Sequence, residues 1–402
     1  MSDRSHAPRW KRFTFGSIVC LAALTLAAPA IHSQAPGESL PPWTPGYLDI
    51  HHISTGLGNS TFVVLPGGAT MLIDAGGANA IPHAEPKPDG SRRPGEWIGR
   101  YVRAMVPGAQ PSIDYAVLTH FHPDHISGIS DVAAQVPIRK VIDRGSPGDP
   151  YLPPQPTDTV FKSYRDFLSR SPQIDVEAAA VGSETQIVDR GDAAVRGRVR
   201  IVAANDQVWT GKGEAVKRRF PPLDSIKDPA DRPTENMCSV ALRLSYGAFD
   251  YFTGGDMPGY PVPGGPAWHD LESDVARAIG RTDARQVGHH GSIEVENPFF
   301  LATLRSRVIV LPAWSPTHPS ADVLKRLLSR RVYPDPRDVF VVQFRDVTKA
   351  SIGGRASQVA SDNGHVVIRV DPGGARYRVF VLDNAAESRA ITSVHGPYAS
   401  ES

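Results

Sequence analysis

The run Thr119-His120-Phe121-His122-Pro123-Asp124-His125 places three imidazoles and one carboxylate within six residues. Few features constrain a fold more tightly, because such a cluster must be carried to a shared point by a rigid element. Tyr115-Ala116-Val117-Leu118, just upstream, is a short apolar run bounded by polar residues, which predicts a buried strand. The cluster therefore leaves the C-terminal end of a strand. His120 and His122, two residues apart, point the same way from extended chain. Pro123 forces a turn that lets Asp124 and His125 face a second position nearby. Imidazole nitrogen with carboxylate oxygen and no thiolate suits a hydrolytic zinc site, and manganese or iron accepts the same donors. Two ions can share such a loop.

Other segments repeat the pattern of a strand ending in chemistry. Met71-Leu72-Ile73-Asp74 pairs as a hairpin with Phe62-Val63-Val64-Leu65 across Pro66-Gly67-Gly68. Phe249-Asp250-Tyr251-Phe252-Thr253-Gly254-Gly255-Asp256 ends in an acid, and Arg285-Gln286-Val287-Gly288-His289-His290-Gly291-Ser292 ends in two histidines. Read without further context, Asp74 and Asp256 could also be strand-end caps.

Taken together, these motifs resemble the metallo-β-lactamase fold superfamily of binuclear metallo-hydrolases, whose signature is HxHxDH with a downstream Asp and His. More narrowly, the chain resembles the hydrolase domain of ComEC-type DNA-uptake proteins. That likeness is carried by Leu72-Ile73-Asp74-Ala75-Gly76, Asn236 and Ser239, Thr253-Gly254-Gly255-Asp256, His289-His290-Gly291-Ser292 and His318-Pro319. It covers roughly residues 47–330. The resemblance implies an α/β fold, a four-layer αβ/βα sandwich of two mixed β-sheets flanked by helices. It implies that His120 and His122 bind a first metal, Asp124 and His125 a second, and that Asp256 bridges both. His289 or His290 completes the second site, and Asp74 accepts a ring N–H from a ligand histidine.

The chain also departs from the superfamily pattern. No histidine occurs from Ile126 to Asp256, where a further ligand is usual, so the first site is thinly ligated. Asn236 stands in that stretch, its amide oxygen a poor zinc ligand; either His318 compensates or the first metal binds weakly and exchanges. The family's Asp-Ser pair appears as Asn59-Ser60, beside the unusual His51-to-Gly58 stretch.

Arg9, Lys11 and Arg12 ahead of the apolar run Phe13 to Ala30 have the order of a secretory signal, with cleavage expected between Ala30 and Ala35. An uncleaved anchor or a lipoprotein at Cys20 is the alternative, although Ser17-Ile18-Val19 lacks the small residues a lipobox needs. The expected organisation is a leader over 1–34, a linker over 35–46, a hydrolase domain over 47–335 and strands extending it over 336–402. The expected location is periplasmic or extracellular, with no stable membrane anchor after cleavage. Export leaves one thiol, Cys238, which reads as buried and structural rather than nucleophilic.

Removing residues 1–34 takes four basic residues and one acidic from the 43 and 42 present, leaving a net charge of −2. Wholesale phosphate-backbone binding needs a concentrated basic face, so nucleic acid is not the favoured partner, and a local nucleic-acid groove is the minority reading. Proline-rich insertions over 80–111 and 147–156 are expected to rim the site, with helices over Trp97 to Met105, Thr159 to Ser169 and Ala321 to Ser329. Val339 to Phe344, His365 to Val370 and Tyr377 to Leu382 read as strands extending one sheet, and Trp314 to Pro319 as part of an apolar strand.

The reaction class expected is hydrolysis of an ester-like bond, with Asp124 steering water and His318 donating a proton or contacting a phosphate-like oxygen. A secreted phosphodiesterase leads. A carboxyl-ester, lactone or β-lactam hydrolase is the alternative, and a metal-bearing binding protein with little catalysis is the third reading.

Overall fold

Side-chain alternation decides how the strands stack. In β1 (Leu48–His52), Leu48 and Ile50 join one apolar cluster, while in β2 (Thr61–Val64) Val63 joins that cluster and Phe62 and Val64 join another. Both faces of these strands are therefore buried, which requires a layer on each side. The computed structural model describes residues 1–2, 35–77, 85–106, 108, 110–145, 156–192, 196–260 and 264–401. The expected leader, apart from its first two residues, and nearly all of the 147–156 insertion lie outside them.

The first sheet continues with β3 (Thr70–Ile73), β4 (Ile113–Val117), β5 (Ile138–Asp143) and β6 (Asp175–Ala178). The chain then builds the second sheet from β7 (Arg198–Ala204), β8 (Gln207–Trp209), β9 (Val216–Arg218), β10 (Ala241–Tyr246), β11 (Phe249–Thr253), β12 (Ala284–Gln286), β13 (Val308–Leu311) and β14 (Asp338–Val341). It returns to the first sheet with β15 (His365–Val370), β16 (Arg376–Leu382) and β17 (Ile391–Ala399). The strand orders are β17-β16-β15-β1-β2-β3-β4-β5-β6 and β14-β13-β12-β11-β10-β7-β8-β9. Both sheets are mixed: β3-β4-β5-β6 and β11-β12-β13-β14 run parallel within otherwise antiparallel sheets.

Helices cover the outer faces. α1 (Pro94–Met105), α2 (Pro123–Ile126), α3 (Ile129–Gln135) and α4 (Thr159–Ser169) pack Ile98, Val102, Ile129, Val132 and Phe161 on the first sheet. α5 (Glu272–Ile279), α6 (Pro298–Leu304) and α7 (Ala321–Leu328) cover the second through Val275, Phe300 and Leu324, and α8 (Asp346–Ile352) follows β14. Between the sheets lies a third apolar layer that includes Met71, Val117, Leu244, Tyr251, Val310 and Ile368. This is the four-layer sandwich the resemblance implied.

Two sequence expectations are corrected. The strands of the last quarter do not share a sheet: β14 pairs in parallel with β13 in the second sheet, whereas β15 pairs with β1 in the first. A hydrophobic alternation specifies a strand but not its neighbour. The strand expected to run through Trp314 to Pro319 stops at Leu311, and the following residues form a loop containing three prolines, Pro312, Pro316 and Pro319.

Candidate metal centre

Parallel strands bring the predicted ligands together, because β3, β4, β11, β12 and β13 all end toward the same crevice. Asp74 follows β3, the His120–His125 loop follows β4, Asp256 follows β11, His289 and His290 follow β12, and His318 lies in the loop after β13. The β4 loop is held by its backbone: Asn59 N–H donates to the Asp124 carbonyl at 2.9 Å and Ala75 N–H to the His125 carbonyl at 2.8 Å. That approach requires Gly76, where a Cβ atom would lie 2.0 Å from the Asp124 carbonyl oxygen.

Asp124, His125, Asp256 and His290 offer four ligand atoms within 4.8 Å of one another. Asp256 Oδ2 is ringed by four imidazole Nε2 atoms, those of His125 at 3.2 Å, His289 at 3.5 Å, His290 at 3.7 Å and His120 at 3.8 Å. His122 joins the ring through its Nδ1, 3.1 Å from His120 Nε2. Of the two adjacent histidines, His290 belongs to the four-atom group: its Nε2 lies 3.0 Å from Asp124 Oδ2. His289 lies beside Asp256 and Asn236, whose Nδ2 is 3.4 Å from its Nε2.

Outer hydrogen bonds fix which nitrogen faces inward. Asp74 accepts His125 Nδ1–H at 2.7 Å, Thr119 N–H at 2.7 Å and Asn59 Nδ2–H at 3.0 Å. The Thr119 hydroxyl donates to Asp74 at 3.0 Å and so accepts from His120 Nδ1 at 3.1 Å, while His290 Nδ1 donates to the Pro312 carbonyl at 3.1 Å. The Nε2 atoms of His120, His125 and His290 are thereby left as lone-pair donors, the second-shell logic of a metal site. His125 Nε2 is buried without a hydrogen-bond partner.

The electrostatics agree. Burial pushes the His125 pKa down, yet Asp256, Asp74 and Asp124 outweigh it and hold the ring well above its ordinary value. Two buried carboxylates, Asp74 and Asp256, with the partly exposed Asp124 beside them, gather negative charge at a point that a metal cation would balance. The residues present thus fit a metal ion by donor chemistry, tautomer and charge.

His318 stands at the rim. Its ring stacks on His290 at 5.7 Å and 21°, its Nδ1 is buried without a partner, and burial with the charges of His290 and His289 lowers its pKa to about 4. Cys238 is fully buried away from this chemistry, its thiol pushed up to about 12 chiefly by burial. Sequence reading missed several supporting groups. Glu235 accepts Phe121 N–H at 2.8 Å and both arms of Arg144 at 2.6 and 2.7 Å, pinning the residue between His120 and His122. Glu294 pairs with His289 Nδ1, and Ser239, singled out from the sequence without a role, accepts Asp256 N–H at 3.1 Å. Only the Glu294 spacing, five residues after His289, offered a local signal.

Residues 53–146 match the family described as the metallo-beta-lactamase superfamily. Similar solved structures include a variant of the CmlA beta-hydroxylase, at 14% identity and a TM-score of 0.42, covering 75% of this chain and 53% of that one. This chain thus spans about half the length of that protein. Another is MEM-A1, a subclass B3 metallo-beta-lactamase from a soil metagenome library (13%, 0.31, 74% and 87%). A third is Igni18, a metallo hydrolase from the archaeon Ignicoccus hospitalis (10%, 0.33, 80% and 98%). No curated protein sequence is significantly similar to the chain.

Proposed function

We propose that this chain, whose residues 53–146 match the metallo-beta-lactamase superfamily, is a metal-dependent hydrolase whose substrate is a phosphodiester, cleaved outside the cytosol. The observation that carries the reading is the ring of imidazoles around Asp256 Oδ2, set beside Asp124 and lacking any thiolate. Nitrogen and oxygen donors suit zinc or manganese and the hard oxygens of a phosphoryl group. The ComEC-like order of Asn236, Ser239, Asp256, His290 and His318 supports the phosphodiester class, and the Arg9-to-Ala30 charge and apolar pattern supports export.

Bound metal would supply Lewis acidity and an activated water. The protein's own residues do the rest. Asp124 and Asp256 hold their carboxylates toward one point, and Asp74 and Thr119 keep the His125 and His120 rings from turning. Neutral His318, at the mouth, is placed to hydrogen-bond a substrate or leaving oxygen.

The test is hydrolysis of bis(p-nitrophenyl) phosphate, nitrocefin and a simple lactone by purified protein supplied with zinc or manganese, with Asp256→Ala as control. Metal-dependent cleavage of the phosphodiester alone, lost by a factor of roughly 10² or more in Asp256→Ala, is expected. Activity confined to nitrocefin or lactone would replace the phosphodiester with a carboxyl-ester or lactam substrate. Inactivity on all three would point to the metal-bearing binding role.

A further inference from the structure

The absence of any histidine between Ile126 and Asp256 leaves His120 and His122 short of a terminal partner. We infer that His289 supplies it, reaching the first metal position from the β12 loop, and that Glu294 is the residue that positions its ring. The inference rests on the metal-binding part of the function proposed above and not on the choice of substrate.

Geometry separates the two neighbouring histidines. His290 is committed to the second position by its 3.0 Å approach to Asp124 and its bond to the Pro312 carbonyl. His289 approaches from the Asp256 side instead: its Nε2 lies 3.5 Å from Asp256 Oδ2, the atom on which His120 Nε2 also converges at 3.8 Å. Donors bound to one ion at about 2.0–2.2 Å lie roughly 3–4 Å apart, and each of these distances to the bridging Asp256 oxygen falls within that range. Consecutive side chains normally diverge. Here both residues adopt left-handed backbone, φ 39° at His289 and 50° at His290, between Gly288 and Gly291. Such strain in consecutive non-glycine residues points to a functional demand on that turn.

The far side of the ring is built as for a ligand. His289 Nδ1 pairs with the Glu294 carboxylate, which accepts the Ser292 hydroxyl at 2.5 Å. A carboxylate on one ring nitrogen orients the other toward a metal and raises its basicity. Asn236, standing where the superfamily places an imidazole, touches the same ring and keeps a buried Oδ1 with no partner, a weak oxygen donor beside the position.

Cobalt(II) binding to the full-length chain tests this by ions bound per chain and by absorption of each cobalt centre, with circular dichroism to verify folding. The native chain is expected to bind two ions, His289→Ala one, and His290→Ala to perturb the other. Glu294→Gln should keep both but weaken the first by roughly 10–100-fold. A native chain that takes up one ion, a His289→Ala variant that keeps both at unchanged affinity, or one that loses the ion assigned to His290 would overturn the inference. Should His289→Ala fail to fold, unchanged cobalt affinity in Glu294→Gln would overturn it instead. No turnover enters these readouts, so inactivity toward phosphodiesters leaves the result intact.

Discussion

At the scale of single residues, the site depends on groups that never meet a substrate. Asp74 is fully buried and sits at φ 60°, a conformation that lets one carboxylate serve the Thr119 N–H, the Thr119 hydroxyl, Asn59 and His125 at once. An amide in its place keeps the shape but offers a single acceptor oxygen, so the His125 ring loses its anchor. Asp74→Asn is expected to lower metal affinity by roughly 10–100-fold, as read by chelator competition. Unchanged affinity would show that packing alone holds the ring. The carboxylate at the strand's end was legible from its position after Met71-Leu72-Ile73, but its partners were not. Asn59 and Thr119 lie 15 and 45 residues away along the chain, and nothing local marks a hydroxyl as a relay between a carboxylate and an imidazole.

At the scale of elements, the loop bearing His289 and His290 is tied back to its own strand by a buried ion pair. Arg285 in β12 and Glu296, which precedes α6, meet through two bonds of 2.5 and 2.6 Å with both side chains almost wholly excluded from water. Glu272, at the start of α5, accepts the Glu296 and Asn297 N–H groups at 2.6 and 2.8 Å, so strand, loop and two helices share one junction. Removing one charge leaves the other buried and unpaired, which costs far more than the pair contributes. Glu296→Gln is expected to destabilise the fold by about 3–5 kcal/mol in urea unfolding; a loss below about 1 kcal/mol would show that water reaches Arg285. The helices themselves were readable: Thr159–Ser169 and Ala321–Leu328 have the predicted bounds to within a residue, because amphipathic spacing and the Asp158 and Ser320 caps are local. β17, Ile391–Ala399, escaped notice because an edge strand interrupted by Gly396-Pro397 lacks a clean alternation.

For the whole molecule, folding leaves histidines in its interior that no proposed ligand role uses. His52 in β1 and His365 in β15 are buried, and burial pulls each pKa down to about 3. The unfolded chain binds protons that the native one refuses, so the stability contribution is complete above about pH 6.5 and is lost as pH falls toward 3. By pH 5 the loss is about 2 kcal/mol for each histidine, measurable as a falling urea midpoint in metal-free protein. His365→Gln should remove about one proton from that slope, and a slope unaltered by the change would assign the titration elsewhere. Chain order alone determined the ligand types, the strand exits that carry them and the alternation that buries both faces of a sheet, since these depend on neighbours within a few residues. Tertiary structure decided which sheet each late strand joined, which of two adjacent histidines approached Asp124, and which distant side chains set their tautomers. Those outcomes are matters of distance across the crevice between two sheets, where groups far apart along the chain come within hydrogen-bonding reach.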